Sequence, residues 1–441
     1  VVIMGAAGRD FHDYLTCFKG RPDVRVVAFT AEQIPGIADR VFPAALAGPR
    51  YPQGIPIVPE ARLAALVAER AVDEVVLSYS DLAHVDVMHK ASLVLAAGAD
   101  FSLLSHRRTA LRSRRPVVAV CATRTGCGKS QVARRVVALL RAAGRRPVVL
   151  RHPMPYGDLV AQRVQRFATL EDLDAARCTI EEREEYEPHV RAGTIVYAGV
   201  DYAAILHQAE GEADVIVWDG GNNDVPFLVP DLHVVVVDPH RAGHETTYHP
   251  GEENLRLADV VVVNKLDTAP AAGVEAVLRV VRALPRRPTI VRADSVITAD
   301  RPELVRGRRV LVVEDGPTLT HGGMPFGAGS VLVERLGGHP VDPRPYATGS
   351  LRALYARFPH LGPVLPAMGY GPRQVAELAR TIARVPCDAV VDGSPFDLSR
   401  ALTVTRPIVN VSYELQERRG SSLEGALARA GLLRARRRQP V

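Results

Sequence analysis

The chain has 441 residues, of which 47% are apolar and 24% charged, with a formal net charge of +6. It is too apolar for a disordered chain and too long for one ordinary core, so two or three globular domains are expected. No apolar run reaches membrane-spanning length, and the five widely spaced cysteines contain no C-x-x-C, which argues against a zinc site or a disulfide framework. A cytoplasmic protein with no membrane partner is expected. The positive charge favours anionic partners, but arginine is spread along the whole chain and aromatics are only 5%. A phosphorylated small molecule is therefore expected, and no nucleic acid.

Strands and helices alternate from end to end, the pattern of an α/β protein with parallel sheets covered by helices. A first unit, residues 1–113, begins with a strand start at Val1 to Met4 and a Gly5-Ala6-Ala7-Gly8-Arg9 turn. Further strands are expected at 24–29, 74–78 and 101–104, with helices at 60–71 and 84–97. The unit reads as a Rossmann-like α/β domain, but no acidic residue ends its second strand, which speaks against an NAD site. Residues 107–115 read as a linker. The second unit, 116–312, is expected to be a P-loop NTPase domain built on a parallel sheet. The third, 313–441, reads as a C-terminal α/β domain for substrate binding or closure. It opens with a strand and a Gly-rich loop at 316–329, followed by helices near 349–358 and 372–384 and strands near 389–391 and 408–411. The basic run at 434–438 reads as a solvated terminus.

The second unit carries the most informative stretch. An apolar run at 117–122 enters Thr123-Arg124-Thr125-Gly126-Cys127-Gly128-Lys129-Ser130, and an amphipathic helix follows from Gln131 to Ala142. In this setting backbone N–H groups and the positive end of a helix face an anion. Lys129 supplies charge for the β- and γ-phosphates, and the Ser130 hydroxyl reaches Mg²⁺. Thr123 stands where G-x-x-x-x-G-K-[ST] has its first glycine. Only four of the 55 basic residues are lysine (Lys19, Lys90, Lys129 and Lys265), so lysine at 129 reads as chemically required.

Downstream, the apolar strand at 214–219 ends in Asp219, placed to hold Mg²⁺ directly or through water. The turn from Gly220 to Asp224 suits close approach to a γ-phosphate. Asn264-Lys265-Leu266-Asp267 follows a valine strand. Asp267 would accept from guanine N1–H and N2–H, Lys265 would lie along the base, and Asn264 would bond N7 or brace the loop. Because adenine-using proteins can keep the asparagine, ATP and GTP both stay open. Thr125, Gly126, Cys127, Gly128, Lys129, Ser130 and Gln131, with Asn264, Lys265 and Asp267, form the expected nucleotide site.

Arg151 and His152 end the strand at 147–150, expected beside the P-loop strand, and suit a second anion; Asp158 suits the metal. Taken alone, the histidine is as readily a core or surface residue. The glutamates at 181, 182, 184, 185 and 187 read as a solvated helix face. Thr318 to Met324, with Thr320, His321 and Gly322, suits a phosphate or carboxylate and equally reads as a long surface loop.

Arg124 stands where a signature lysine often precedes G-x-G-K-[ST], so the loop resembles the SIMIBI class of P-loop NTPases. Taken together, G-R-D-F near the start, T-R-T-G-C-G-K-S, R-H-P-M-P-Y-G-D-L and T-H-G-G-M resemble the cyclic 2,3-diphosphoglycerate synthetase family over most of the chain. The resemblance implies nucleotide-driven closure of two phosphates into a cyclic pyrophosphate, with Mg²⁺ and with ATP or GTP as co-substrate, releasing ADP and phosphate. It implies a catalytic set of Lys129, Arg124, Arg151 and His152, and a substrate set of Arg9, Arg151, His152, Thr320, His321 and Gly322. Ser130, Asp158 and Asp219 would serve the metal. A phosphorylated acid is the implied substrate and a homo-oligomer the expected assembly. The rival reading, favoured by N-K-L-D, is a SIMIBI-type GTPase acting as a chaperone or switch.

Overall fold

The computed structural model describes every residue except 7, 33–39, 153, 155–156, 222–223, 321, 368–371, 395–397 and 434–441. His321, two residues of the turn after Asp219, part of the R-H-P-M-P-Y-G-D-L string and the basic terminus thus lie outside the described residues.

Residues 1–103 build a six-stranded sheet in the order Val41–Phe42, Ile55–Pro59, Ala28–Ala31, Val2–Met4, Glu74–Leu77, Asp100–Leu103. All neighbours run parallel except the short first pair. Beyond it one sheet crosses the rest of the molecule. From one edge it runs Gln165–Phe167, Val196–Ala198, Pro147–Arg151, Val215–Asp219, Val117–Ala122, Leu232–Val237, Val260–Val263, Thr289–Ala299. It continues through Ile408–Glu417, Ala389–Gly393 and Arg309–Asp315 to His339–Pro340, with Leu365–Ala367 also beside Arg309–Asp315. The junction between Thr289–Ala299 and Ile408–Glu417 is antiparallel. Strand Arg309–Asp315 runs across the 312/313 boundary expected between the second and third units.

The valine runs explain the central strands. All six residues of Val117–Ala122 are buried, as parallel strands covered on both faces must be. The helix Lys129–Ala142 lays Val132, Ala133, Val136, Val137 and Leu140 onto this sheet, a stripe at helical spacing. Pro147–Arg151 does not lie beside the P-loop strand, contrary to expectation. The chain returns through helix Tyr202–Glu212 and inserts Val215–Asp219 between them, parallel to both. Asp219 is therefore the direct neighbour of the loop, and Arg151 stands one strand further out.

The N-terminal unit is docked on the P-loop unit. His12 stacks on Phe227 at 4.0 Å between ring centres, and Arg9 donates to the Val225 carbonyl at 3.3 Å. Leu82–Ala83 pairs with Tyr248–His249 as a two-stranded ribbon. The expected linker instead starts as a short helix, His106–Thr109, and Leu111 bridges to Leu228. Among the described residues no helix is long and apolar enough to cross a membrane.

Candidate functional site

The loop after Val117–Ala122 closes as the glycine spacing requires. Gly126 and Gly128 take φ of +80° and +97°, and a Cβ on Gly128 would lie 2.2 Å from Asn264 Nδ2. Glycine is needed there for both conformation and space. Asn264 Nδ2 donates to the Cys127 carbonyl at 2.9 Å. Lys265 Nζ donates to the Gly126 carbonyl at 2.6 Å and to Asp238 Oδ2 at 2.8 Å. The N-K pair thus braces the loop from behind. Asp267 turns elsewhere: Oδ1 accepts from the Ser295 N–H at 3.0 Å and Oδ2 pairs with Arg335 at 3.0 Å.

At the front of the loop, Lys129 Nζ lies 2.5 Å from Asp219 Oδ1. His189 Nε2 meets Asp219 Oδ2 at 3.0 Å, and Arg151 approaches Oδ1 at 3.4 Å while also pairing with Glu185. Burial alone would raise the Asp219 pKa, but Arg151 and Lys129 overcome it and hold the group well below the usual carboxylate range. His189 was not anticipated from sequence. Its signal, a histidine near the end of an acidic helix, is weak. Arg124 is clamped by Asp81 Oδ1 at 2.6 Å, lies 2.6 Å from His244 Nδ1 and stacks 3.6 Å from the Tyr248 ring centre. Asp81, four residues past the strand Glu74–Leu77, also accepts the Thr125 N–H at 3.3 Å. This link between units was not read from the sequence either.

The loop opens onto a cavity of about 820 Å³. Its lining includes the loop residues Arg124 to Gly126 and Gly128 to Gln131, and an acidic group that Arg151 joins to the loop through Glu185 and Asp219. Glu181, Glu184 and Glu185 enter it from helix Ile180–Arg191, and Glu314 and Asp315 from the end of Arg309–Asp315. The expected solvated glutamate face is therefore corrected: Glu181, Glu182, Glu184 and Glu187 are buried. Local bonds make this possible for two of them. Glu182 forms a capping box with Thr179, and Glu187 pairs with Arg183 and Arg191. Glu184 has no such relief. Burial, reinforced by Asp315, Glu181 and Glu185, pushes its pKa well above the carboxylate range, and burial pushes Asp315 up to about 6.

The loop at 316–324 packs on the P-loop. A Cβ on Gly126 would lie 2.8 Å from Thr318 Cγ2, and one on Gly322 would lie 3.0 Å from the Thr125 carbonyl. Thr320 lines the cavity, while the Gly322 carbonyl accepts from Arg241 at 2.6 Å. Of the remaining residues in the expected site, Ser130 and Arg151 reach the cavity. Three do not. His152 lies buried with Nδ1 2.6 Å from Asp224 Oδ2, and Arg9 sits between the units. Asp158 is exposed, its Oδ1 accepting the N–H groups of Val160 and Ala161. Among the described residues no three His, Cys, Asp or Glu side chains are placed to hold one metal ion.

No protein-family model matches the chain. Among curated proteins, arginine synthetase ArcE of Thermococcus kodakarensis is 55% identical over 418 residues, covering 95% of this chain and 93% of that one. That relative is a synthetase, as the resemblance implied, but its name specifies arginine and no cyclic diphosphoglycerate. Among solved structures, "apo" form LpxK from Aquifex aeolicus in complex with ATP covers 83% of this chain and 99% of its own, at 11% identity and a TM-score of 0.42. The MinC:MinD cell division protein complex of Aquifex aeolicus covers 51% and 78%, at 11% identity and a TM-score of 0.19. Both scores are too low to carry an argument.

Proposed function

The chain belongs to the arginine synthetase ArcE family, and we propose that it forms arginine by an ATP-driven exchange of a ureido oxygen for a nitrogen. Arginine differs from citrulline by one guanidinium nitrogen in place of that oxygen, which cannot leave until it is phosphorylated. In the first step the ureido oxygen takes the γ-phosphoryl of ATP and ADP departs. In the second, ammonia adds to the same carbon, the C–O bond breaks and phosphate leaves with the electron pair. Loss of one proton from the incoming nitrogen yields the guanidinium.

The observation that carries this reading is the make-up of the cavity: a phosphate-binding loop and the buried carboxylates Glu181, Glu184 and Glu314 line the same space. Such a site suits a nucleotide facing a ligand with cationic nitrogen. A bisphosphorylated acid would meet like charge there. Lys129 would leave Asp219 for the γ-phosphoryl, and Arg151 would steady Asp219 as it does. Mg²⁺ fits at Ser130, at the start of the loop helix and open to the cavity. Asp219, already met by Lys129, Arg151 and His189, fits it only through water. The ion would draw charge from the phosphoryl oxygens.

The purified protein would be given Mg²⁺-ATP, ammonium and citrulline, with arginine and ADP quantified together. Equimolar arginine and ADP are expected. A parallel reaction with 2,3-diphosphoglycerate, followed by phosphorus NMR, tests the cyclisation that the sequence motifs implied. A cyclic pyrophosphate signal with no arginine would overturn the proposal.

A further inference from the structure

Glu184 is a poorly satisfied group in the cavity wall. It is 5% exposed, and its Oε1 is sealed from solvent without a hydrogen-bond partner among the described residues. Its neighbours are provided for. Glu185 pairs with Arg151, Asp315 accepts from Thr318, and Glu314 accepts from the backbone of Gly327, Gly329 and Ser330. A buried carboxylate without a partner is costly, and the structure retains one in the lining of the cavity.

Two separate elements converge at this point. Helix Ile180–Arg191 brings Glu184 with Glu181 and Glu185, and the end of Arg309–Asp315 brings Asp315. Asp392 from the adjacent strand Ala389–Gly393 adds to the negative field, and Tyr413 faces it from Ile408–Glu417. Arg151, the cation on this side, is held by Glu185 and Asp219. No three of these carboxylates are placed to bind one metal ion. Several acceptors from separate elements favour a ligand that spreads its charge over several N–H donors, as a guanidinium does, or one that donates in several directions, as ammonium does.

We propose that Glu184 and Asp315 form the seat of a protonated-nitrogen ligand, a guanidinium or an ammonium group, in the cavity that the P-loop also lines. The identity of the ligand rests on the arginine-synthetase reading; the existence of the seat does not. Without a cation, burial and the surrounding carboxylates push the Glu184 pKa well above the usual carboxylate range. A cation stabilises the carboxylate, so binding releases a proton to solvent.

The test is calorimetry on the full chain with methylguanidinium chloride and ammonium chloride as probes, at ionic strength fixed with sodium chloride. Titrations in two buffers of different ionisation heat read the proton released. Saturable binding of at least one probe with proton release is expected. Glu184→Gln should weaken it by roughly tenfold or more, the loss expected for a charge-assisted hydrogen bond. Binding of a non-hydrolysable ATP analogue should stay unchanged. Preference for methylguanidinium assigns the seat to the product side chain; preference for ammonium assigns it to the incoming nitrogen. No saturable binding of either probe, or equal binding by Glu184→Gln, overturns the proposal. Should that variant melt below the assay temperature, Asp315→Asn carries the same comparison. Glu184-dependent cation binding in a protein that makes no arginine would retire the arginine reading and keep the seat. Arginine synthesis with cation binding indifferent to both substitutions would do the reverse.

Discussion

Replacing Lys129 by alanine separates the chemistry of the loop from its contribution to the fold. The ammonium lies 2.5 Å from Asp219 Oδ1, with Asp219 fully buried and the lysine side chain 10% exposed. Removing one member of a buried pair costs about 3–5 kcal/mol when the remaining charge is left uncompensated. Here it is compensated, because Asp219 keeps His189 at 3.0 Å and Arg151 at 3.4 Å. The loss should therefore be closer to that of one charged hydrogen bond, about 1.5–3 kcal/mol, which a domain stabilised by about 5–15 kcal/mol survives. Turnover has no such reserve. In the proposed reaction Lys129 would meet the transferring phosphoryl, and losing one such donor costs about 10²–10³ in rate. ADP release would be measured beside a circular dichroism melt. A folded variant with turnover within a few-fold of the parent refutes the phosphate-loop assignment. A variant unfolded at the assay temperature refutes the claim that Arg151 and His189 suffice for Asp219.

Asp267→Asn should reduce ATP-driven and GTP-driven turnover equally and slightly, with a stability loss of about 0.5–1.5 kcal/mol, because its oxygens serve Ser295 and Arg335. Selective loss of GTP use in a competition assay would instead restore the guanine-reading role. At acid pH, His12 and His233 should each contribute to the loss of stability, since burial pulls both down from 6.5 to about 3. Between those values the unfolded chain binds a proton on each that the folded protein refuses, so stability is lost as pH falls, by about 1.4 kcal/mol per pH unit per histidine. His12→Gln should flatten the slope by about that amount in denaturant melts across the window, and an unchanged slope would show that folded His12 is already charged.

The phosphate loop was legible because its chemistry forces a local signature. Two glycines are needed where φ is positive, and a lysine stands out in a chain that otherwise uses arginine. Asn264 and Lys265 were legible as loop neighbours, but the destination of Asp267 depends on Ser295 and on Arg335, from a helix 68 residues away in sequence. Arg151 and His152 are adjacent in sequence, and side chains along an extended chain alternate, so one reaches the cavity while the other turns to Asp224. The glutamate helix shows the limit best. Its run of acids looks solvated in sequence, but the helix packs against Leu170–Ala175, Pro147–Arg151 and Val196–Ala198, and Asp315, over 100 residues downstream, acts on Glu184. A net charge of +6 sums arginines over the whole chain. It therefore pointed to an anionic substrate, whereas the field felt by a ligand is set by the few groups lining one cavity. There the cationic half announced itself through the P-loop, and the acidic half exists only once the chain has folded.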